Sequence, residues 1–408
     1  MWLYCGIVQT EMFDKTQMTG TLVPISGTDP VLGPWEHVAF AAQQLPDKEP
    51  LLSGATYRQV ARSRAALATL DSTSRQLTNP SLLRRPVLRR EAQSTSALEG
   101  TYAPLAAVLS ADEDEPATAD LREILNYLTM AEQAFAWLGD GRPVTPGLLS
   151  DLQGVLVRGT PSAKKWPGQL RGDQVVIGRR PGASASDLPV DAARFIPAPP
   201  GQDLEARVRD LVGWMNVDRR ADIDPVVAAA MTHYQFEALH PFYDGNGRLG
   251  RLLVVMQLLS TEVLTEPTLS VSPWFEVRRS EYYDRLFGVS THGDWDQWIG
   301  FFSRGLEASA LATHQQMLQL LAVRGALLDR VERSTLRSAT ALKLVDLSVS
   351  RTSFTVKQAA ADLEVGYSRA NTLVAKLVDL EVLAPVLEGA AYDRRFYAPT
   401  VNAVLLRG

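Results

Sequence analysis

Cysteine is almost absent from this 408-residue chain: Cys5 stands alone, which excludes an internal disulfide framework and any zinc site built on thiolates. A cationic excess is missing too. With 41 Lys and Arg against 46 Asp and Glu the formal charge is −5, so the chain as a whole has no attraction for nucleic acid or an anionic membrane. No apolar run reaches the roughly 18 residues needed to span a bilayer, and the short apolar start Met1 to Val8 has neither a basic leading region nor a cleavage site. These absences point to a cytoplasmic protein with no membrane partner. The length exceeds what one core usually holds, so two or three domains are expected. Met12 and Met18 leave open whether residues 1–17 belong to the native chain.

What is present is concentrated in one span, His240-Pro241-Phe242-Tyr243-Asp244-Gly245-Asn246-Gly247-Arg248-Leu249-Gly250-Arg251. Asp224-Pro225 reads as the N-cap and first residue of a mostly buried helix that stops at Pro241. Leu252, Leu253, Val255, Met256, Leu258 and Leu259 mark a second apolar helix whose first turn begins near Gly247. The glycine turn 245–247 therefore lies at the positive end of that helix, where unsatisfied N–H groups can wrap an anion without interference from Cβ atoms. Arg248 and Arg251 share a face three residues apart and suit a polyphosphate. Asp244 offers a hard oxygen to Mg²⁺, and His240, with a reference pKa of about 6.5, can take a proton near neutrality. Three plainer readings compete. His240 can be a cap or a core hydrogen-bonder; Gly245, Gly247 and Gly250 also fit G-x-G-x-x-G, although a helix rather than a strand precedes them; and His233 with His240 lack the spacing and third ligand of a zinc site.

The same twelve residues resemble the signature of the Fic family, His-Pro-Phe-x-(Asp or Glu)-Gly-Asn-Gly-Arg-x-x-Arg, at every specified position. The resemblance implies a mainly α fold: a Fic helical core with a short β-hairpin flap, and a C-terminal winged helix. It further implies transfer of AMP from Mg-ATP to a Ser, Thr or Tyr hydroxyl of a target protein, or of the enzyme itself. On that reading His240 is the base, Asp244 holds the metal, 245–247 form the anion hole, and Arg248 and Arg251 bind the β- and γ-phosphates. The whole run Asp244 to Arg251, Leu249 and Gly250 included, becomes nucleotide-binding surface. Alternatives within the same site are removal of AMP or transfer of another phosphate-containing group. Outside it stands a DNA-binding regulator that senses nucleotide.

Other stretches extend the resemblance. Tyr57 to Leu77 has the period of a packing helix. Arg90 to Gly100 reads as a helix closed by a C-cap glycine, with Glu99 an ordinary surface carboxylate. The resemblance makes it an inhibitory helix, (Ser or Thr)-x-x-x-Glu-(Gly or Asn), matched by Thr95, Glu99 and Gly100; Glu99 would pair with Arg251 and keep ATP from a productive pose. Asp112 to Pro116 is an acidic loop, and Leu121 to Leu138 and Thr145 to Val157 are further helices. Val175-Val176-Ile177 suggests a short strand. By resemblance it is the flap that holds the target segment through strand addition, with Gly168, Arg171, Gln174, Val175 and Gly178 matching the pattern and Val175 near the adenine. Phe195 to Pro200 resembles the connector that follows the flap. Tyr282 and Tyr283 are placed by the resemblance near the adenine as well.

Residues 1–50 form an N-terminal extension, rich in Gly, Pro and Thr, expected to wrap a surface rather than build a core. Residues 51–120 hold the inhibitory helix, 121–310 the Fic core, and 311–408 a linking helix and the winged helix. In that tail Val356 to Leu363, a turn at 364–366 and Tyr367 to Leu377 make a helix-turn-helix, with 383–386 and 395–397 as wing strands. Arg369, Lys376, Arg394 and Arg395 are offset by Asp379, Glu381, Glu388 and Asp393, so packing or homodimer formation is favoured over DNA binding.

Overall fold

A computed structural model describes residues 11–76, 81–112, 115–336, 338–386 and 394–407. Cys5, the apolar start 1–8, Leu77, Glu113 and Asp114 of the acidic loop, and Glu388 and Asp393 of the wing lie outside the described residues. The fold is mainly α, as expected. In chain order the elements are β1 (Gly20–Asp29), β2 (Gly33–Ala42), α1 (Gly54–Gln76), α2 (Ser81–Leu98), α3 (Leu105–Ser110), α4 (Ala119–Gly139), α5 (Pro146–Leu156), β3 (Ile177–Arg179), β4 (Ala193–Phe195), α6 (Gln202–Asn216), α7 (Pro225–Leu239) and α8 (Asn246–Ser260). There follow α9 (Ser272–Glu276), α10 (Arg279–His292), α11 (Trp295–Glu332), α12 (Ala339–Ser350), β5 (Phe354–Thr355), α13 (Val356–Asp362), α14 (Tyr367–Asp379), β6 (Ala384–Pro385), β7 (Arg395–Tyr397) and α15 (Pro399–Arg407). Among the described residues no helix is long and apolar enough to cross a membrane.

The chain folds as two compact units, one of residues 1–64, 130–263 and 277–306, the other of 65–129, 264–276 and 307–408. In the first unit α7 is the central rod. Its only residue that is not buried is Glu237, and a helix buried on every face belongs inside a core. Asp224 caps it by accepting from the Val226 N–H at 2.8 Å, and Pro225 supplies its preset first residue. Trp298, fully buried, donates from its indole N–H to the Ala230 carbonyl at 2.9 Å.

The N-terminal region departs from expectation. Instead of wrapping a surface, residues 20–42 form an antiparallel hairpin in register from Gly20 opposite Ala42 to Asp29 opposite Gly33. Its end is core: Ala39, Phe40, Ala41 and Ala42 are each no more than 2% exposed. Two glycines that read as loop signals are strand residues facing aromatic rings. A Cβ on Gly20 would lie 2.5 Å from Phe40 Cζ, and one on Gly27 would strike the Trp35 ring directly opposite.

The second unit contains α2 and the C-terminal module. Fully buried Thr95, Ser96 and Leu98 seat the last turn of α2, which Gly100 closes at φ 96°. The module runs helix, strand, helix, helix, strand, strand (α12, β5, α13, α14, β6, β7), with its sheet ordered β5-β7-β6. That is the element order of a winged helix. Thr355 caps α13 through a full capping box with Gln358.

Candidate active site

The left-handed residue His240 ends α7 at φ 45° and ψ 60°, an arrangement uncommon for a residue with a Cβ. Both sides of its backbone are held: its N–H donates to Phe236 O at 3.0 Å, and its carbonyl accepts from Arg171 Nε at 2.9 Å. The residue is half-buried. Between it and α8 the loop 241–245 is closed by Asn246. The Asn246 Oδ1 accepts from the Phe242 N–H at 2.9 Å while its Nδ2 donates to the Phe242 carbonyl at 2.8 Å. Asn246 is 1% exposed, so this side chain clamps the loop.

Gly245 sits at φ 82° as the N-cap of α8, and no side chain of its own caps the helix. The turn thus opens α8 with backbone N–H donors, the geometry that favours an anion. A Cβ on Gly245 would come within 2.6 Å of Leu156 Cδ2, so both conformation and space require glycine there. Gly250 serves packing: a Cβ would lie 2.5 Å from Glu237 Oε1 and 3.1 Å from Phe236 Cδ1, which is how α7 and α8 approach so closely. Leu249 is fully buried and its N–H donates to Gly245 O at 3.0 Å, which makes it a core residue.

Asp244 is the carboxylate at the open side of the turn, its side chain 36% exposed. Its Oδ1 accepts from the Gly245 N–H at 2.6 Å and from Arg248 Nη2 at 3.0 Å, and its Oδ2 accepts from the Ser162 hydroxyl. Arg248 and Arg251 are each 1% exposed. Here Arg248 braces Asp244, a contact the three-residue spacing of the arginines does not reveal. A single fixed, partly exposed carboxylate beside an anion-binding turn fits Mg²⁺, which takes one or two carboxylates and fills its shell with water and phosphate oxygens.

Two contacts tie the motif to the flap, and both went unread in the sequence. Arg171 is 2% exposed and its guanidinium donates to carbonyls on both sides: His240 and Leu239 (3.4 Å) of the motif, Asp173 (3.3 Å) and Ala198 of the flap segment. Its own N–H donates to Pro241 O at 2.9 Å. Burial lowers its pKa to about 10, still cationic at neutrality. Tyr243, the unspecified position of the motif, accepts from the Gly172 and Asp173 N–H groups at 2.9 and 3.0 Å and donates to Asp173 Oδ2 at 3.0 Å.

The flap strand is Ile177–Arg179, two residues later than Val175–Ile177, and its partner is Ala193–Phe195, which ends on the first residue of the expected connector. Val175 precedes the strand, and its carbonyl accepts from Gln174 Nε2 at 3.0 Å. Val176 packs on Ala39, Val190, Ala193 and Ile196, so the β1–β2 hairpin backs the flap. In its two-stranded sheet β3 pairs on one edge only among the described residues.

Tyr282 is instead fully buried, its hydroxyl 2.7 Å from His233 Nε2, within a cluster of Trp298 and Phe302. Burial, and then the Arg251 charge, push the His233 imidazole down to about 3. Tyr283 is half-buried, with the Arg279 guanidinium 5.9 Å over its ring. Among the described residues no group of three or more His, Cys, Asp or Glu is placed to hold a metal. In the other unit Glu99 is exposed in the turn after α2. On the same helix Glu91, 1% exposed, accepts from Ser270 Oγ (2.8 Å), Ser272 N (2.9 Å) and Ser272 Oγ (2.5 Å), anchoring α2 to the start of α9.

Residues 57–136 match the Fic/DOC family N-terminal model and residues 143–258 the Fic/DOC family model. Over 142 residues the chain is 32% identical to protein adenylyltransferase fic-1 of Caenorhabditis elegans, covering 35% of this chain and 23% of that protein. Over 83 residues it is 35% identical to a probable protein adenylyltransferase of Aquifex aeolicus, covering 20% and 25%. The chain thus spans about a quarter of the length of these curated relatives. A Fic family protein from Desulfovibrio desulfuricans shares the fold at a TM-score of 0.54 and 19% identity, over 86% of this chain and 98% of that one.

Proposed function

Because the chain belongs to the Fic/DOC family, we propose that it is a protein adenylyltransferase that moves AMP from ATP to a protein hydroxyl. The observation that carries this reading is the held left-handed His240 next to an uncapped helix turn. In the proposed reaction the target oxygen attacks the α-phosphorus, the bond to the α–β bridging oxygen breaks, pyrophosphate leaves, and the hydroxyl proton passes to His240. The N–H groups that open α8, with Arg251, bind the phosphates; Arg248 orients Asp244, which would hold Mg²⁺. The ion supplies charge neutralisation on the phosphates. A target segment adds to the open edge of β3, where main-chain hydrogen bonds give affinity.

Glu99 acts as a restraint on the transfer, the role implied by the match of Thr95, Glu99 and Gly100 to the inhibitory pattern. Labelled ATP tests the set. With Glu99→Gly, label in the α position should appear on protein several-fold faster than with the unsubstituted chain. Transfer of γ-label in place of α-label would show a different reaction, and equal rates for the two chains would remove Glu99 from the account.

A further inference from the structure

A separate gathering of guanidinium groups plays no part in the chemistry above. It lies wholly within the unit that holds α2 and the C-terminal module, and it does not rest on the role given to His240. A cavity of about 190 Å³ is lined by Arg85, Arg89, Arg351 and Arg395, with Ser353 and Gln358 between them. No acidic side chain is among the described residues that line it. Arg85 and Arg89 are one turn apart on α2 and so share a face. Arg351 follows α12, and Arg395 opens β7.

These side chains are built in. Arg89 is 4% exposed, and its guanidinium also donates to the Val108 carbonyl. Arg395 donates to Ser353 Oγ at 3.1 and 3.2 Å and to the Ser353 carbonyl at 3.2 Å, and Asp112 pairs with it. Asp362 holds Arg351 at 2.5 Å. Neither carboxylate lines the cavity, so each fixes the direction of a guanidinium and leaves other N–H donors of its five for what lies inside. Ser353 in turn donates to Ser110 O at 3.1 Å, which sets the height of the loop. A phosphoryl group in this space offers oxygens to the N–H groups of Arg351 and Arg395 that those pairs leave over. At about 30 Å³ per water the space equals roughly six waters, room for one or two phosphoryl groups.

We propose that this cavity binds a small phosphate anion, inorganic phosphate or pyrophosphate, which bridges α2 and the C-terminal module. The full chain is titrated with each anion at constant ionic strength, with chloride as the control, and thermal shift and calorimetry are read together. The unsubstituted chain should show a saturable rise in melting temperature with phosphate or pyrophosphate and none with chloride. Arg85→Gln should weaken the affinity about ten-fold or more. Arg351→Gln, at a partly exposed position, should do the same and covers the case in which the first variant folds poorly. A smaller loss in both folded variants, or no saturable response at all, would overturn the proposal. So would Arg85-dependent retention of a 20-base-pair duplex by a chain on which the free anions have no effect, since the phosphate source would then be nucleic acid.

Discussion

Two places in this chain gather arginine, and they are assembled by opposite routes. Arg248 and Arg251 come from a single twelve-residue stretch and reach burial because α8 is packed into a core. Arg85, Arg89, Arg351 and Arg395 come from three separate stretches of the chain and meet around a cavity. The first pattern can be read along the chain because one helix sets the spacing. The second exists only after folding, and its members look like scattered surface cations until then. Chemistry held by local geometry leaves a signature; chemistry held by tertiary geometry leaves a composition.

The contrast can be tested from its most demanding contact downward. Arg171→Ala should do the most damage, because it strips donors from the His240, Leu239, Asp173 and Ala198 carbonyls at once. A loss of about 3 kcal/mol or more in denaturant unfolding is expected, given ~1–3 kcal/mol for each buried acceptor left unsatisfied. An unchanged midpoint would mean the motif is held without the flap. Gly250→Ala should cost about 1–3 kcal/mol by overpacking α7 against α8. The same change at Gly325 on α11, where a Cβ meets open space, should stabilise by about 0.5–1 kcal/mol. Similar gains at both sites would show that helix propensity, not close approach, governs Gly250.

His233 gives a pH test of the motif's foundation. Its folded pKa, about 3, lies below the unfolded value of about 6.5, so the unfolded chain takes up the proton first. Stability is full above about pH 6.5 and is lost as pH falls toward 3, with a slope of at most about 1.4 kcal/mol per pH unit from this group. His233→Gln should flatten that slope in urea titrations between pH 4 and 6; an identical slope would place the acid sensitivity elsewhere. Arg85→Gln should be the mildest, within about 0.5 kcal/mol, since the cavity serves binding rather than the core. A loss above 2 kcal/mol would make it a structural cluster.

Much of the site was legible because its signals are short-range. Asp224-Pro225 announced α7, Pro241 announced its end, and the glycines announced a turn before α8. What escaped depends on distant partners. Asn246 looks like a turn residue, yet its amide clamps Phe242; Arg171 looks like a flap residue, yet its guanidinium fixes the His240 carbonyl. The β1–β2 hairpin escaped because Gly20 and Gly27 carry the usual sign of a loop, and only the aromatic rings across the strand show why glycine is needed. Val175 and Ile177 have equal strand propensity, so the frame of β3 was set by its pairing with Ala193–Phe195 and not by local preference.

The central claim, that His240 takes the proton from the attacking hydroxyl, is tested most directly in the Glu99→Gly background with and without His240→Ala. Transfer of α-label to protein should fall at least about 100-fold with the substitution, while the melting temperature stays within a few degrees. Label retained at an undiminished rate by a folded His240→Ala chain would contradict the account.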